Sequence, residues 1–386
     1  MSSPRLRFLY LDGIRGLAAA TVVLFHVGAY TQHSGDLASA LPAVELLVQV
    51  IGAYGVPTFI VLSGFVLTLP VASAPDLRLK RGFWQYLRRR ARRILPPYYV
   101  SLLLFLVMIA LIPALHGDSG TAWDSKVPVT AGGVVSHLLV VHNWNTAWVN
   151  QINGPAWSVA TEWQLYIFFP LVLLPLWRRF GPVVMLGVVS LMGIVVTLGF
   201  PPATAGGLWY VTLFALGSLA AYMVAREKHL VRPGLLAAAA LVCSAAFLSL
   251  RPLLLGLLGG GFGIAAGYLI GIAMALLLIA LARAGDGSPS QRVRGILESG
   301  PLVWLGSWSY SLYLIHSPVL ALGNFLLLRW ALPTGTHMLI QLLITAPIAA
   351  AAAFIFHVLV ERRFLTSHQQ KLVAGQAQPK QGRAAS

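Results

Sequence analysis

One cysteine in 386 residues, Cys243, leaves no disulfide framework and no cysteine-based metal site. It sits in an apolar run and reads as helix packing rather than as a nucleophile. Charge is scarce too: Asp, Glu, Lys and Arg make up 10% of the chain, against roughly 25% in an average soluble domain. No Walker, HExxH or GxSxG pattern occurs, and neither an internal repeat nor a second domain is visible. These absences exclude a stapled secreted domain and the commonest nucleotide, zinc-protease and hydrolase sites.

What is abundant is apolar sequence, 58% of residues. Runs of about 20 apolar residues, each long enough to cross a bilayer, recur along most of the chain. Ten are expected, at 9–30, 45–69, 94–115, 155–177, 181–200, 207–225, 234–250, 262–282, 309–330 and 337–360. The predicted fold is therefore an all-α, polytopic integral membrane helix bundle over residues 1–361, followed by a polar tail, 362–386, expected to be disordered and cytoplasmic. Arg5 and Arg7 before the first run imitate a signal peptide, and Ala38-Ser39-Ala40 imitates its cleavage site. The run is too long for one and carries Asp12 and Arg15, so it reads as a retained span.

The net charge of +16 raises the question of nucleic acid. Placing the basic residues answers it: with the N-terminus inside, 23 of the 27 Lys and Arg fall in cytoplasmic segments. Both termini are then cytoplasmic, the basic pI is a topology signal, and no nucleic-acid partner is expected. The expected location is a bacterial cytoplasmic membrane. Residues 116–154 form a long outer loop containing Trp123, His137, His142, Asn143, Trp144, Asn145, Trp148, Asn150 and Asn153. Its tryptophans and asparagines can bind a sugar, though Trp at this level more often forms the interfacial belt, and 134–141 is either re-entrant or interfacial. Gly263, Gly267 and Gly271 read as a helix-packing face, and Ser63-Gly64-Phe65 as a close helix contact.

Ionisable residues inside spans mark function by default. Arg15 and His26 are eleven residues apart, about three helical turns, so they share a face roughly 16 Å apart. Asp12, one turn before Arg15, is placed to pair with it. Glu162 falls at a depth close to that of His26, where a carboxylate would orient the imidazole. His316 should lie nearer the depth of Arg15, either holding a substrate or packing with Tyr310 and Tyr313. In RRRARRILPP, Pro96 suits the first turn of a span, and a helix N-terminus beside arginines is an anion site. From charge alone the same cluster reads first as a topology signal that also binds anionic lipid.

These residues fall within a recognisable order. LDGIRGLAAATVVLFH resembles the first-span signature of membrane acyltransferase family 3, an Arg, ten intervening residues, and a His. FIVLSGFVL, RRARRILPPYY, WSVATEWQLYIFFP and SYSLYLIHSPV follow in the family's sequence, covering the chain from first span to near the last. The resemblance implies transfer of an acyl group, usually acetyl from acetyl-CoA, to hydroxyls of cell-surface sugars and some secreted small molecules. The family's Arg-x-x-Arg motif matches Arg90 and Arg93, leaving Arg88, Arg89 and Arg92 to topology. Many relatives carry an extra esterase-like domain after the last span, and this sequence resembles the form without it.

The expected function is a membrane O-acyltransferase using acyl-CoA and no metal. Its acceptor would be a glycan hydroxyl or, alternatively, a small secreted molecule such as a macrolide. His26 and Glu162 are the expected catalytic pair, Arg15, Arg90, Arg93 and His316 the donor-binding set, and Asp12 the support. A covalent acyl-His26 intermediate stays open, as does the oligomeric state. An alternative from another class is a proton-coupled transporter relaying through Arg15, His26 and Glu162.

Overall fold

A computed structural model describes residues 9–117, 119–200, 206–226, 230, 232–259 and 261–365. Every regular element among them is helical. Seven helical runs are long and apolar enough to cross a membrane, or eight if one bent pair is a single span. The chain is thus an all-α, polytopic membrane helix bundle. In chain order, the helices that build the site are α1 (Leu9–Ala29), α2 (Gly55–Ala72), α3 (Gly82–Leu111), α4 (Ala131–Leu138), α5 (Trp157–Phe168), α6 (Tyr210–Ala225), α7 (Gly300–Ser307) and α8 (Ser309–Leu328).

Several boundaries differ from expectation, each for a local reason. The spans expected at 155–177 and 181–200 lie in one 46-residue run, Gly154–Gly199. Gly181 interrupts it with φ 84° and ψ 168°, a backbone conformation open almost only to glycine. The helix expected at 207–225 is 16 residues long, about 24 Å and short of the ~30 Å hydrocarbon core. Pro233–Ser249 continues into Arg251–Leu258 through a 77° bend. Helix α3 begins at Gly82, so Pro96 and Pro97 sit inside it rather than in a first turn. The basic cluster is therefore not a helix N-terminus, and the anion-site argument from helix polarity fails there.

Close packing is set by glycine. A Cβ on Gly64 of α2 would lie 2.1 Å from the Phe214 carbonyl of α6, and one on Gly217 of α6 2.0 Å from the Val61 carbonyl of α2. Backbones that near exclude any side chain, which is how membrane helices gain contact without a hydrophobic driving force between them. The same device joins α1 to α7: a Cβ on Gly16 would lie 2.5 Å from Leu302 O, and one on Gly306 1.8 Å from Asp12 O. Of the expected glycine face, Gly267 meets Trp209 and Gly271 meets Leu213, but Gly263 borders open space. Arg362 to Phe364 complete a 3-10 turn with buried Glu361, and Leu365 is buried too. Residues 366–386, like Arg5, Arg7 and Lys228, lie outside the described residues.

The long loop is folded onto one end of the bundle. Asn143 Nδ2 donates to Thr161 Oγ1 and the Gly206 carbonyl, and Asn153 Nδ2 to the Leu314 carbonyl at 3.1 Å. Within it, α4 has eight residues, too few to cross, and its last carbonyls accept the hydroxyls of Tyr98 and Tyr99. His137 and His142 stack with centroids 3.7 Å apart in the loop interior. Burial pushes His137 down to about 4 and, with His137 adding to it, His142 to about 2, so both are neutral at pH 7. Trp123 is buried as well, its indole donating to the Leu115 carbonyl. Trp123, Asn143 and Asn153 thus pack the loop, whereas Trp144 is exposed and Asn150 lines a cavity beneath it.

Candidate active site

Two adjoining cavities enter the bundle. The narrower, about 90 Å³, is lined by Arg15, Arg90, Arg93, Ser63, Glu162 and Tyr310 among others. The wider, about 560 Å³, lies under the loop and is lined by His26, Tyr30, Lys126, Trp157 and Tyr210. Val56 and Tyr313 belong to both walls. Tyr313 is fixed at this junction, its hydroxyl donating to the Pro155 carbonyl at 2.7 Å and lying 2.5 Å from Ser158 Oγ.

The guanidiniums come from two helices. Arg15 Nη1 donates to Asp12 Oδ1 at 2.7 Å one turn earlier, as the spacing predicted. On α3, Tyr86, Arg90, Arg93 and Pro97 recur at helical spacing and turn one stripe inward, while Arg88, Arg89 and Arg92 are exposed. Arg90 Nε is buried with no hydrogen-bond partner among the described residues, a donor that an anion in the cavity would satisfy. Tyr310 of α8 donates to the Ile94 carbonyl at 2.9 Å and ties the two helices beside this stripe.

Glu162 does not orient His26. One of its carboxylate oxygens accepts from Ser63 Oγ at 2.5 Å and from the Tyr166 hydroxyl, in the narrow cavity. Ser63, read as a packing residue, is therefore part of the site, while the close helix contact belongs to its neighbour Gly64. Sequence gave no hint of that pairing, because the partners are 99 positions apart.

His316 is not at the depth of Arg15. Its Nε2 lies 3.3 Å from His26 Nδ1, with ring centroids 4.8 Å apart. The displacement follows from α7, which packs against the first turns of α1 and occupies the level at which α8 was expected to start. Each imidazole also donates from Nδ1 to the carbonyl one turn back, His26 to Val22 and His316 to Leu312, both at 2.9 Å. A proton on Nδ1 of His316 makes its Nε2 an acceptor, which favours the proton on Nδ1 of His26. His26 Nε2 then carries a lone pair, and no hydrogen bond to it occurs among the described residues.

A membrane helix bundle with inward-facing guanidiniums, a carboxylate and an imidazole around connected cavities is built for chemistry inside the bilayer. The family profile described as "Acyltransferase domain" matches residues 8–361, and the chain belongs to this family, membrane acyltransferase family 3. It is an acyltransferase, which displaces the transporter alternative. It is 29% identical to "Acyltransferase MdmB" of Streptomyces mycarofaciens over 375 residues, 91% of this chain and 90% of the relative. It is 26% identical to "O-acetyltransferase OatA" of Staphylococcus aureus (strain NCTC 8325 / PS 47) over 88% of this chain, spanning 55% of that relative. No solved structure matches the chain.

Proposed function

We propose that the protein transfers an acyl group, acetyl in the first instance, from acyl-CoA to a hydroxyl of a cell-surface or exported glycan. The observation that carries this reading is the pair of cavities meeting at Tyr313 and Val56, one lined by guanidiniums and the other by His26. In this reading the donor enters from the cytoplasm, its phosphates against Arg90 and Arg93 and its acyl arm directed past Arg15. The unsatisfied Arg90 Nε supports an anionic occupant. The acceptor enters from the loop side, with both termini cytoplasmic and the bundle in a bacterial cytoplasmic membrane.

At the junction His26 Nε2 takes the proton of the acceptor hydroxyl as its oxygen attacks the thioester carbonyl. The new C–O bond forms, the C–S bond breaks, and the coenzyme A thiolate recovers the proton from the imidazolium. His316 positions the ring in the required tautomer and does not touch substrate. Glu162, held by Ser63 and Tyr166, offsets the guanidiniums around the donor end. The test uses protein in nanodiscs with acetyl-CoA, following free thiol with and without methyl β-glucuronoside or methyl β-glucoside. Thiol release that rises with a glycoside, together with an acetylated sugar by mass spectrometry, is expected. Absence of any thiol release from folded protein overturns the reading.

A further inference from the structure

Lys126 is the only Lys or Arg between residues 116 and 154. The fold buries it, 9% exposed, in the wall of the wide cavity, with its ammonium 6.0 Å from the centroid of the Tyr30 ring. Two of its three N–H groups are used locally, by the Ala122 carbonyl at 3.0 Å and Ser125 Oγ at 2.6 Å. No ion pair to Lys126 occurs among the described residues. The nearby carboxylate, Asp124, is turned to Ser119 and to the Gly120 backbone instead. Gly154 keeps room for the lysine stem, since a Cβ there would lie 2.7 Å from Lys126 Cε.

A buried cation lacking a counter-ion is expensive, and removing it from the protein would ordinarily help stability. A chain with so few charges places this one beside His26, where neither topology nor solubility calls for it. The aromatic faces of Tyr30, Trp157 and Tyr210 around the same space suit a sugar ring. We infer that the third N–H of Lys126 binds an anionic group, carboxylate or phosphate, on the acceptor, so that the enzyme selects acidic glycans over neutral ones. This rests on the wide cavity being the acceptor site. Burial lowers the Lys126 pKa to about 8, which leaves it mostly cationic at pH 7.

The test measures binding without donor, so that it does not depend on transfer. Methyl β-glucuronoside, glucose 1-phosphate and methyl β-glucoside are titrated against the protein in nanodiscs, read by saturation-transfer NMR. An acidic probe is expected to bind about tenfold or more tighter than the neutral one, the gain typical of a charge-assisted hydrogen bond. Which acid binds better identifies carboxylate or phosphate as the recognised group. Lys126→Met should erase the preference and Lys126→Arg should keep most of it. Equal affinity for acidic and neutral probes, no binding of either acid, or a preference surviving in Lys126→Met overturns the inference. Where Lys126→Met does not fold, the wild-type comparison decides alone. If acetyl-CoA is never consumed yet acids are preferred, the transferase reading fails and the anion site stands.

Discussion

The two cavities differ in how they are made. The narrow one is lined chiefly by long apolar helices, and its guanidiniums follow helical spacing, Arg93 one turn after Arg90 and Arg15 one turn after its partner Asp12. The wide one is closed by a loop, and its polar groups come from scattered elements: His26 from α1, Lys126 from a 3-10 turn and Tyr210 from the start of α6. Periodicity marks the guanidiniums of the first and, through the face shared with Arg15, His26 of the second, but it is silent about Glu162 and Lys126. The same division follows chemistry. A donor with phosphates asks for guanidiniums at fixed intervals, whereas an acceptor with hydroxyls asks for one base and a fitted wall.

The sharpest way to break this division is to remove the base. His26→Gln should lower turnover by about 10²–10⁴-fold, the usual loss for a general base. Protein yield, helix content and donor affinity should stay near wild type, because the ring contacts the wide cavity. A folded His26→Gln protein keeping more than about a tenth of turnover assigns the proton transfer elsewhere. Loss of donor binding instead would place His26 on the donor side of the junction.

Next in size is the donor side. Arg90→Ala and Arg93→Ala should each raise the apparent acetyl-CoA constant by roughly 10- to 100-fold, since hydrogen bonds to charged groups contribute about 1.5–3 kcal/mol. Arg88→Ala, on the exposed face of the same helix, should change it little. Equal modest losses in all three would mean that the stripe binds lipid and that the narrow cavity has another occupant.

The split between these arginines comes from the resemblance to the family's Arg-x-x-Arg motif, because helical spacing alone pairs 89 with 92 as well as 90 with 93. The polytopic all-α fold was legible directly, as apolar runs of bilayer length leave few alternatives. What was hidden depended on contacts across the chain. The Glu162–Ser63 bond joins α5 to α2, and no local pattern predicts which helices are neighbours. The depth of His316 was misread because 300–307 looked like a connection, although its glycine contacts seat it against α1. Pro96 was taken for a helix start on propensity, while α3 carries both prolines inside a 30-residue helix.

A smaller effect should separate positioning from chemistry in the histidine pair. His316→Asn leaves only the Val22 carbonyl to hold the His26 tautomer, so turnover should fall roughly tenfold, less than the ~10²–10⁴-fold loss expected for the base itself. Its signature is a changed pH profile of kcat with an unchanged acetyl-CoA constant. A packing residue would instead lower yield or thermal stability and leave the profile alone. An unchanged profile in folded His316→Asn protein removes the positioning role.

The smallest effect expected concerns pH on the acceptor side. Burial, only partly countered by Asp124, lowers the Lys126 pKa to about 8. The cationic form, which binds an acidic acceptor, therefore predominates below that pH and is lost above it. Methyl β-glucuronoside affinity should fall about twofold between pH 7 and 8 and about tenfold per unit well above 8, with a pKa of about 8. Other titratable groups face the lysine or its cavity: Asp124 on its own turn, His26 of α1, Tyr30 just after α1, Tyr210 and Tyr313. Lys126→Arg separates them, because a guanidinium stays charged throughout this range while its surroundings are kept. If the arginine variant loses affinity in parallel with wild type, the titrating group is one of those neighbours. If only the lysine enzyme weakens, and methyl β-glucoside binding stays flat in both, the acceptor's charge is read at residue 126.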